Sequence, residues 1–333
     1  MSGERARGPL QPCYVARTRM ARVLVTGGAG FIGSHLVERL VARGDEVVVL
    51  DDLSLGSRAN LASVASRARI LVDSVTSLPK LRPELEGIDT VVHLAALISG
   101  YDSLEHPRAY LDANVGDLLT VLETMRAIGA RRIVLASSAT VYGDSTGIAK
   151  REGDLPMPIT TYALTKLADE HLLRMYGPLW GFTHTSLRLF NVYGPRQSPD
   201  HPYANVTCKF AHAAANGLPV KLYGDGAQSR DFVYVDDVVD ALVRALEPTP
   251  GHVYNVGTGV ETSIRALLDT VQEVSDTRLV VEHCPPWPND VRSVRADVSA
   301  LARDLGIRAS TPLADGLRRT VEHFRLERET RRA

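Results

Sequence analysis

The sequence has few cysteines, no long apolar run and no excess of charge of either sign. Cys13, Cys208 and Cys284 are far apart, odd in number and without CxxC spacing, which argues against a disulfide framework and against a cysteine zinc site. Scattered thiols of this kind suit a reducing cytoplasm. The ten histidines show no metal-ligand spacing, so no metal is expected. Basic side chains number 38 and acidic ones 39, so the charge balance calls for neither nucleic acid nor an anionic membrane as partner. Apolar runs such as residues 47–50 and 91–98 fall far short of the ~20 residues of a membrane helix. Residues 1–19 are polar and basic and lack the apolar core of a secretory signal, so residues 1–20 are read as a disordered leader. Met20 stands directly before the first strand and is a candidate natural start.

What is present is the material for a large core, with 44% hydrophobic residues in 333. Short β-branched runs (22–26, 46–51, 90–94, 132–137) alternate with longer helical patterns such as 32–43. That alternation predicts an α/β fold, a Rossmann-type doubly wound parallel sheet covered by helices. Past residue 190, proline- and glycine-rich stretches mark a smaller C-terminal α/β substrate-binding region. The expected division assigns 21–190 to the domain of the main sheet, with 236–257 returning to it. Residues 191–235 and 258–325 are expected to form the smaller region, and 326–333 a tail.

Gly28, Gly30 and Gly33 satisfy GxGxxG between a strand and a helix, and Gly27, Gly30 and Gly33 satisfy a three-spaced variant. Residues without Cβ allow a tight turn and let a helix N-terminus approach a pyrophosphate. About 20 residues on, Asp51 ends the next strand, where a carboxylate can accept hydrogen bonds from an adenosine ribose. Asp51 and Asp52 together would repel a 2′-phosphate, which favours NAD over NADP. A glycine pattern alone is weak; strand, glycines, helix and terminal acid in order are not.

Tyr162 and Lys166 stand four apart, on one face of a helix. A phenol with its pKa of ~10 is a poor base near neutrality, but a neighbouring ammonium favours the phenolate. Tyr162 is therefore a candidate acid/base, and Lys166 could also hold a nicotinamide ribose. Such a pair is common by chance, and so is a serine at a strand end. Here residues 132–137 lead directly into Ser137-Ser138-Ala139-Thr140-Val141-Tyr142-Gly143, where ligands of parallel sheets sit.

These motifs, with His93-Leu94-Ala95-Ala96, residues 191–196 (NVYGPR) and residues 230–237 (RDFVYVDD), resemble the extended short-chain dehydrogenase/reductase family in its nucleotide-sugar epimerase/dehydratase branch. The resemblance runs from residue 22 to about 322. It implies NAD as cofactor, held by Gly27, Gly30, Phe31, Ile32, Gly33, Asp51, Asp52, Leu94, Ala95, Ala96 and Asn114 together with Tyr162 and Lys166. It makes Ser138, Tyr162 and Lys166 a catalytic triad, with Asn114 helping to orient the lysine. Asn191 and Arg230 fall where the family grips a diphosphate, Tyr223 where a ring stacks on the base, and Val206 in the base-pocket segment. Thr140 falls beside the sugar.

The family's shared first step moves a sugar hydroxyl's proton to Tyr162 and its hydride to NAD. Its 4,6-dehydratases follow the catalytic hydroxyl with Asp-Glu, and its decarboxylases commonly keep the glutamate. Here Ala139 and Thr140 stand instead, as in the 4-epimerases. The implied function is C4 epimerisation of a UDP-hexose, UDP-N-acetylhexosamine or UDP-uronate. The alternatives are a keto-deoxysugar reductase or 3-/3,5-epimerase, then a UDP-glucuronate decarboxylase or a non-catalytic NAD sensor. Two positions depart from the 4-epimerase pattern. Trp287 replaces a diphosphate-binding arginine, a role open to Arg292 or Arg295, and Val294 replaces a bulky tyrosine, leaving room for an N-acetyl group. The helical stretches 104–128 and 161–176 pair between subunits in most relatives, which implies a homodimer.

Overall fold

The structure is a computed structural model that describes residues 20–332 apart from 144, 146, 200–203, 250 and 287–291. Most of the leader, Cys13 and Trp287 lie outside the described residues. The sheet strands are β1 (Arg22–Thr26), β2 (Glu46–Asp51), β3 (Arg69–Val72), β4 (Thr90–His93), β5 (Arg132–Ser138), β6 (Thr183–Leu189) and β7 (Val253–Val256). The main helices are α1 (Phe31–Ala42), α2 (Asp117–Ile128), α3 (Thr161–Trp180), α4 (Val206–Asn216), α5 (Val235–Arg244), α6 (Ile264–Ser275) and α7 (Leu313–Arg332).

All seven strands are parallel, in the order β7-β6-β5-β4-β1-β2-β3. This is the doubly wound α/β architecture expected. The interior strands read as unbroken apolar runs because both faces are covered. Val23, Val25, Val47 and Val49 face the core shared with α1 and α5. Leu24, Val48 and Leu50 face the opposite core, with Leu118, Val121, Leu122 and Met125 of α2 and Leu173 of α3. The strand order reverses at β1, whose neighbours are β2 and β4. The crevice beyond their carboxyl ends is the ligand position of such sheets.

Helices α4, α6 and α7 pack on one another, and their core is continuous with that under α1. Short strand pairs surround them: 191–193 with 232–234, 220–223 with 281–284, 149–150 with 295–296, and antiparallel 229–230 with 262–263. Two expectations change. Residues 104–128 are not one helix: a short helix ends at Glu105, Pro107 opens another, and a π-helical turn spans Leu111–Gly116 before α2 begins. The tail is not separate either, because α7 runs on to Arg332 and the Arg328 guanidinium donates to the Ala215 carbonyl.

Helix α3 is fixed to the sheet by a buried ion pair. Arg188 on β6 donates to both Glu170 oxygens, from Nε at 2.9 Å and Nη2 at 2.7 Å, and the Ser137 hydroxyl donates to Oε1 at 2.5 Å. The guanidinium also lies 4.8 Å over the Tyr142 ring. Removing one member of such a pair strands the other charge, whereas removing both does not. Arg188→Met is expected to cost about 3–5 kcal/mol, read from the urea midpoint and slope. Arg188→Met with Glu170→Leu should recover much of that loss. A single variant within about 1 kcal/mol of the parent would contradict this role for the pair.

Candidate active site

At the end of β1 the chain turns at Gly27 with φ +70°, a conformation that side chains rarely adopt. A Cβ on Gly27 would stand 2.7 Å from the Ala95 amide nitrogen, and one on Gly33 would collide with the Gly27 carbonyl. Both glycines thus serve close backbone approach, of the turn to residues 94–95 and of α1 to the turn. Gly30 differs: a Cβ there would meet only the Gly27 oxygen, at 3.3 Å. That contact is tight but far less severe than those at Gly27 and Gly33, and the other side is where Phe31 and Ile32 begin α1 with amides that have no intrahelical acceptor. This cradle fits a pyrophosphate.

Asp51 closes the other side of the turn. Its carboxylate accepts from the Ala29 amide at 2.9 Å and the Leu53 amide at 2.8 Å, so it holds the glycine loop. Asp52 accepts from the amide and hydroxyl of Ser54. Asp117, at the start of α2, has its carboxyl pushed up to about 6 by burial and by the nearby Asp52 charge. That concentration of acid disfavours a 2′-phosphate. On the β4 side, Leu94 N donates to the Thr26 carbonyl, Ala95 N reaches the Thr26 hydroxyl at 3.4 Å, and half-buried Ala96 follows.

Asn114 hydrogen-bonds to Thr165 and Leu97 rather than to Lys166. Its amide donates to the Thr165 hydroxyl at 2.9 Å and to the Leu97 carbonyl, and its oxygen accepts from Leu97 N. It locks the loop after β4 to α3 one residue before the lysine.

Helix α3 begins under a Thr160 cap, and the Tyr162 amide donates to the Ser103 hydroxyl at 3.0 Å. Burial pushes the Tyr162 phenol up to about 12, opposed by the nearby Ser138 hydroxyl. Ser138 accepts from the Thr140 amide at 3.2 Å and the Thr140 hydroxyl at 2.9 Å. Lys166 is buried, and burial lowers its pKa against the raising effect of Asp169. Below it, buried His93 shares a 2.7 Å hydrogen bond with Thr26 and is held neutral, its pKa pushed down to about 3 by burial and by the lysine. Ser138 thus lies beside Tyr162 at the carboxyl end of β5, and Lys166 lies one turn on along α3, next to Asp169 and near His93 at the end of β4.

The remaining residues singled out from the sequence lie beyond β6. Asn191 is half-buried, its amide donating to the Asp231 carbonyl. Arg230 lies half-buried on the short strand 229–230, and Tyr223 half-buried at the end of strand 220–223. Val206 opens α4. Val294 packs on Val141, Tyr142, Phe190 and Ala296, directly beneath the Ser138 turn. Arg292 is exposed and paired with Asp225 at 3.3 Å, and Arg295 donates to the Gly259 carbonyl.

One organiser was not singled out from the sequence. Asp231, fully buried, accepts from the amides of Thr258, Gly259 and Ala296 and from the Thr258 hydroxyl. It clamps the Arg230 strand to the loop after β7. An acid directly before the apolar run Phe232–Tyr234 was the available signal.

The profile of the NAD dependent epimerase/dehydratase family matches residues 23–257, which span the glycine turn, the Ser138 turn and α3. The chain belongs to that family. NAD is accordingly its cofactor, and the cradle at Gly30 fits it. A UDP-glucose 4-epimerase of Mycolicibacterium smegmatis is 41% identical over 315 residues, covering 91% of this chain and 98% of that protein. The Thermus thermophilus UDP-glucose 4-epimerase complex with NAD superposes with TM-score 0.83 at 40% identity, over 91% of this chain and 99% of that one. A UDP-N-acetylglucosamine 4-epimerase from Methanobrevibacter ruminantium, in complex with UDP-N-acetylmuramic acid, superposes with TM-score 0.89 at 32% identity, over 93% and 100%. Among the described residues no cluster of side chains could hold a metal ion.

The two glycines predict separable effects. Gly30→Ala should weaken NAD binding about tenfold or more, a loss of roughly 1.4 kcal/mol, and lower the melting temperature of the NAD-free protein much less than Gly33→Ala does. Gly33→Ala should lower that melting temperature. Calorimetric titration with NAD showing equal affinity for Gly30→Ala and parent would refute the cradle.

Proposed function

We propose that this protein interconverts the C4 epimers of a UDP-sugar, using Ser138, Tyr162 and Lys166 as its catalytic residues. The observation that carries this reading is the turn after β5. The groups beside Ser138 are Ala139 and Thr140, and the Thr140 hydroxyl bonds to Ser138 itself. A 4,6-elimination needs an additional acid and base at that place, and the turn supplies neither. Its relatives among UDP-sugar 4-epimerases point the same way.

NAD, when bound, supplies a reversible hydride acceptor. Tyr162 takes the proton of the C4 hydroxyl, Ser138 shares that hydroxyl by donating and accepting a hydrogen bond, and Lys166 favours the phenolate and holds the nicotinamide ribose. After the keto-sugar has turned, Tyr162 returns the proton to the inverted oxygen. Epimerisation therefore needs no further acid or base. The diphosphate falls to Asn191 and Arg230, joined by Arg292 once it leaves its exposed partner Asp225, since a guanidinium fork matches phosphate oxygens. Tyr223 and Val206 flank the base, and Thr140 and Val294 border the sugar. The small Val294 leaves room for hexoses, N-acetylhexosamines or uronates. In this division residues 21–190 with 236–257 serve NAD, and 191–235 with 258–325 the nucleotide sugar.

We further propose a homodimer through α3 and its neighbours. Leu104, Leu164, Met175 and Leu179 are exposed there, beside the stacked Tyr176 and Trp180 rings, and such an apolar patch favours a second copy. Among the described residues Cys208 and Cys284 form no disulfide, in keeping with a cytoplasmic enzyme. Among the described residues no helix is long and apolar enough to cross a membrane.

The test is to incubate purified protein with UDP-glucose, UDP-N-acetylglucosamine and UDP-glucuronate in turn, without added NAD, and follow the sugar by proton NMR. One of them should yield an equilibrium mixture of C4 epimers without net NADH. Tyr162→Phe should lower turnover by at least about 10²-fold. Stoichiometric NADH consumption on a 4-keto-sugar would instead identify a reductase.

A further inference from the structure

Among the buried ionisable groups, Asp169 has no part in the chemistry above. It lies on α3 one turn beyond Lys166, and its carboxylate is fully buried. Neither oxygen accepts a hydrogen bond among the described residues. Its one charged contact is Lys166 Nζ, 3.6 Å from Oδ2, and that ammonium is itself almost wholly buried. An unsolvated carboxylate without donors is costly to maintain, so its retention beside the lysine needs a reason. We propose that Asp169 is a positioning residue that shares the Lys166 ammonium and thereby sets the pH at which Tyr162 passes from proton donor to proton acceptor. This rests on the reading of Tyr162 and Lys166 as the catalytic pair.

The surrounding charges leave this role to Asp169. Glu170, the adjacent acid, is neutralised by Arg188 and bonded to Ser137. His93, approaching from β4, is held neutral. Tyr110, from the helix at Pro107–Tyr110, is also uncharged, its phenol raised by burial. Lys166 is the positive group that would favour a Tyr162 phenolate, and an ionised Asp169 cancels part of its field. Burial pushes the Asp169 carboxyl up to about 7, although Lys166 acts to lower it, so this counter-charge changes within the working pH range.

The sign follows directly. Ionised Asp169 raises the Tyr162 pKa, and neutral Asp169 leaves the ammonium unopposed and lowers it. Seven residues along a helix span ~10 Å, and a unit charge at that distance in a medium of effective dielectric near 20 moves a pKa by about one unit.

The experiment is an ultraviolet difference titration of phenolate in the NAD-loaded protein, with the Tyr162→Phe spectrum subtracted to isolate Tyr162. Asp169→Asn should move the Tyr162 midpoint down by about one pH unit and shift the ascending limb of kcat against pH with it. Asp169→Glu, which keeps the charge, should stay near the parent. Asp169→Ser serves as a second neutral variant should the asparagine protein fold poorly. Equal midpoints in parent and neutral variants would overturn the proposal. Failure of the underlying reading looks different: Tyr162→Phe would retain full turnover, whatever the titration shows.

Discussion

The salt bridge between Glu170 and Arg188 is the contact on which the proposed site most depends. It joins α3 to β6, and through the Ser137 hydroxyl to the last residues of β5. Ser138 follows Ser137 directly, so one carboxylate holds both the strand end that carries the serine and the helix that carries Tyr162 and Lys166. Asn114 adds a second tie, from the π-helical turn to Thr165. A helix that slid by one residue along the sheet would rotate by roughly 100° to keep its packing, and the phenol would leave the Ser138 hydroxyl. The interactions that fix the helix are therefore also what aligns the chemistry.

At the other end of the cofactor crevice the constraint is steric. Gly27 and Gly33 let the backbone of the turn, the start of α1 and residues 94–95 approach more closely than any side chain would allow. Asp51 then closes the turn through two amide hydrogen bonds. In the proposed reading the labour is divided: backbone amides at the start of α1 serve the phosphates of NAD, while side chains on α3 and the β5 turn serve the sugar.

Much of this was legible in the sequence, for physical reasons. Strands buried on both faces read as short β-branched runs, which is why β1, β2, β4 and β5 stand out. The glycine turn announces itself because no other residue tolerates its geometry, and Tyr162 with Lys166 follows from helical spacing. The small strand pairs were not legible, being two to four residues long with partners as distant as Ala149 and Arg295. The break at Pro107 went unread in the 104–128 stretch, and so did the π-helical turn that aims Asn114 at Thr165. The buried charges were hidden for a different reason. Asp169 stands at a spacing that suits an ordinary surface ion pair with Lys166, and only the packing of α3 against the sheet shows that both are out of water.

The central claim is that the hydrogen removed from the sugar comes back to the same carbon on its other face. It is tested most directly with a UDP-sugar deuterated at C4, run to epimeric equilibrium without added NAD and analysed by mass spectrometry and deuterium NMR. The account predicts that both epimers keep the deuterium at C4. Loss of the label to solvent, or its appearance in released NADH, would contradict it.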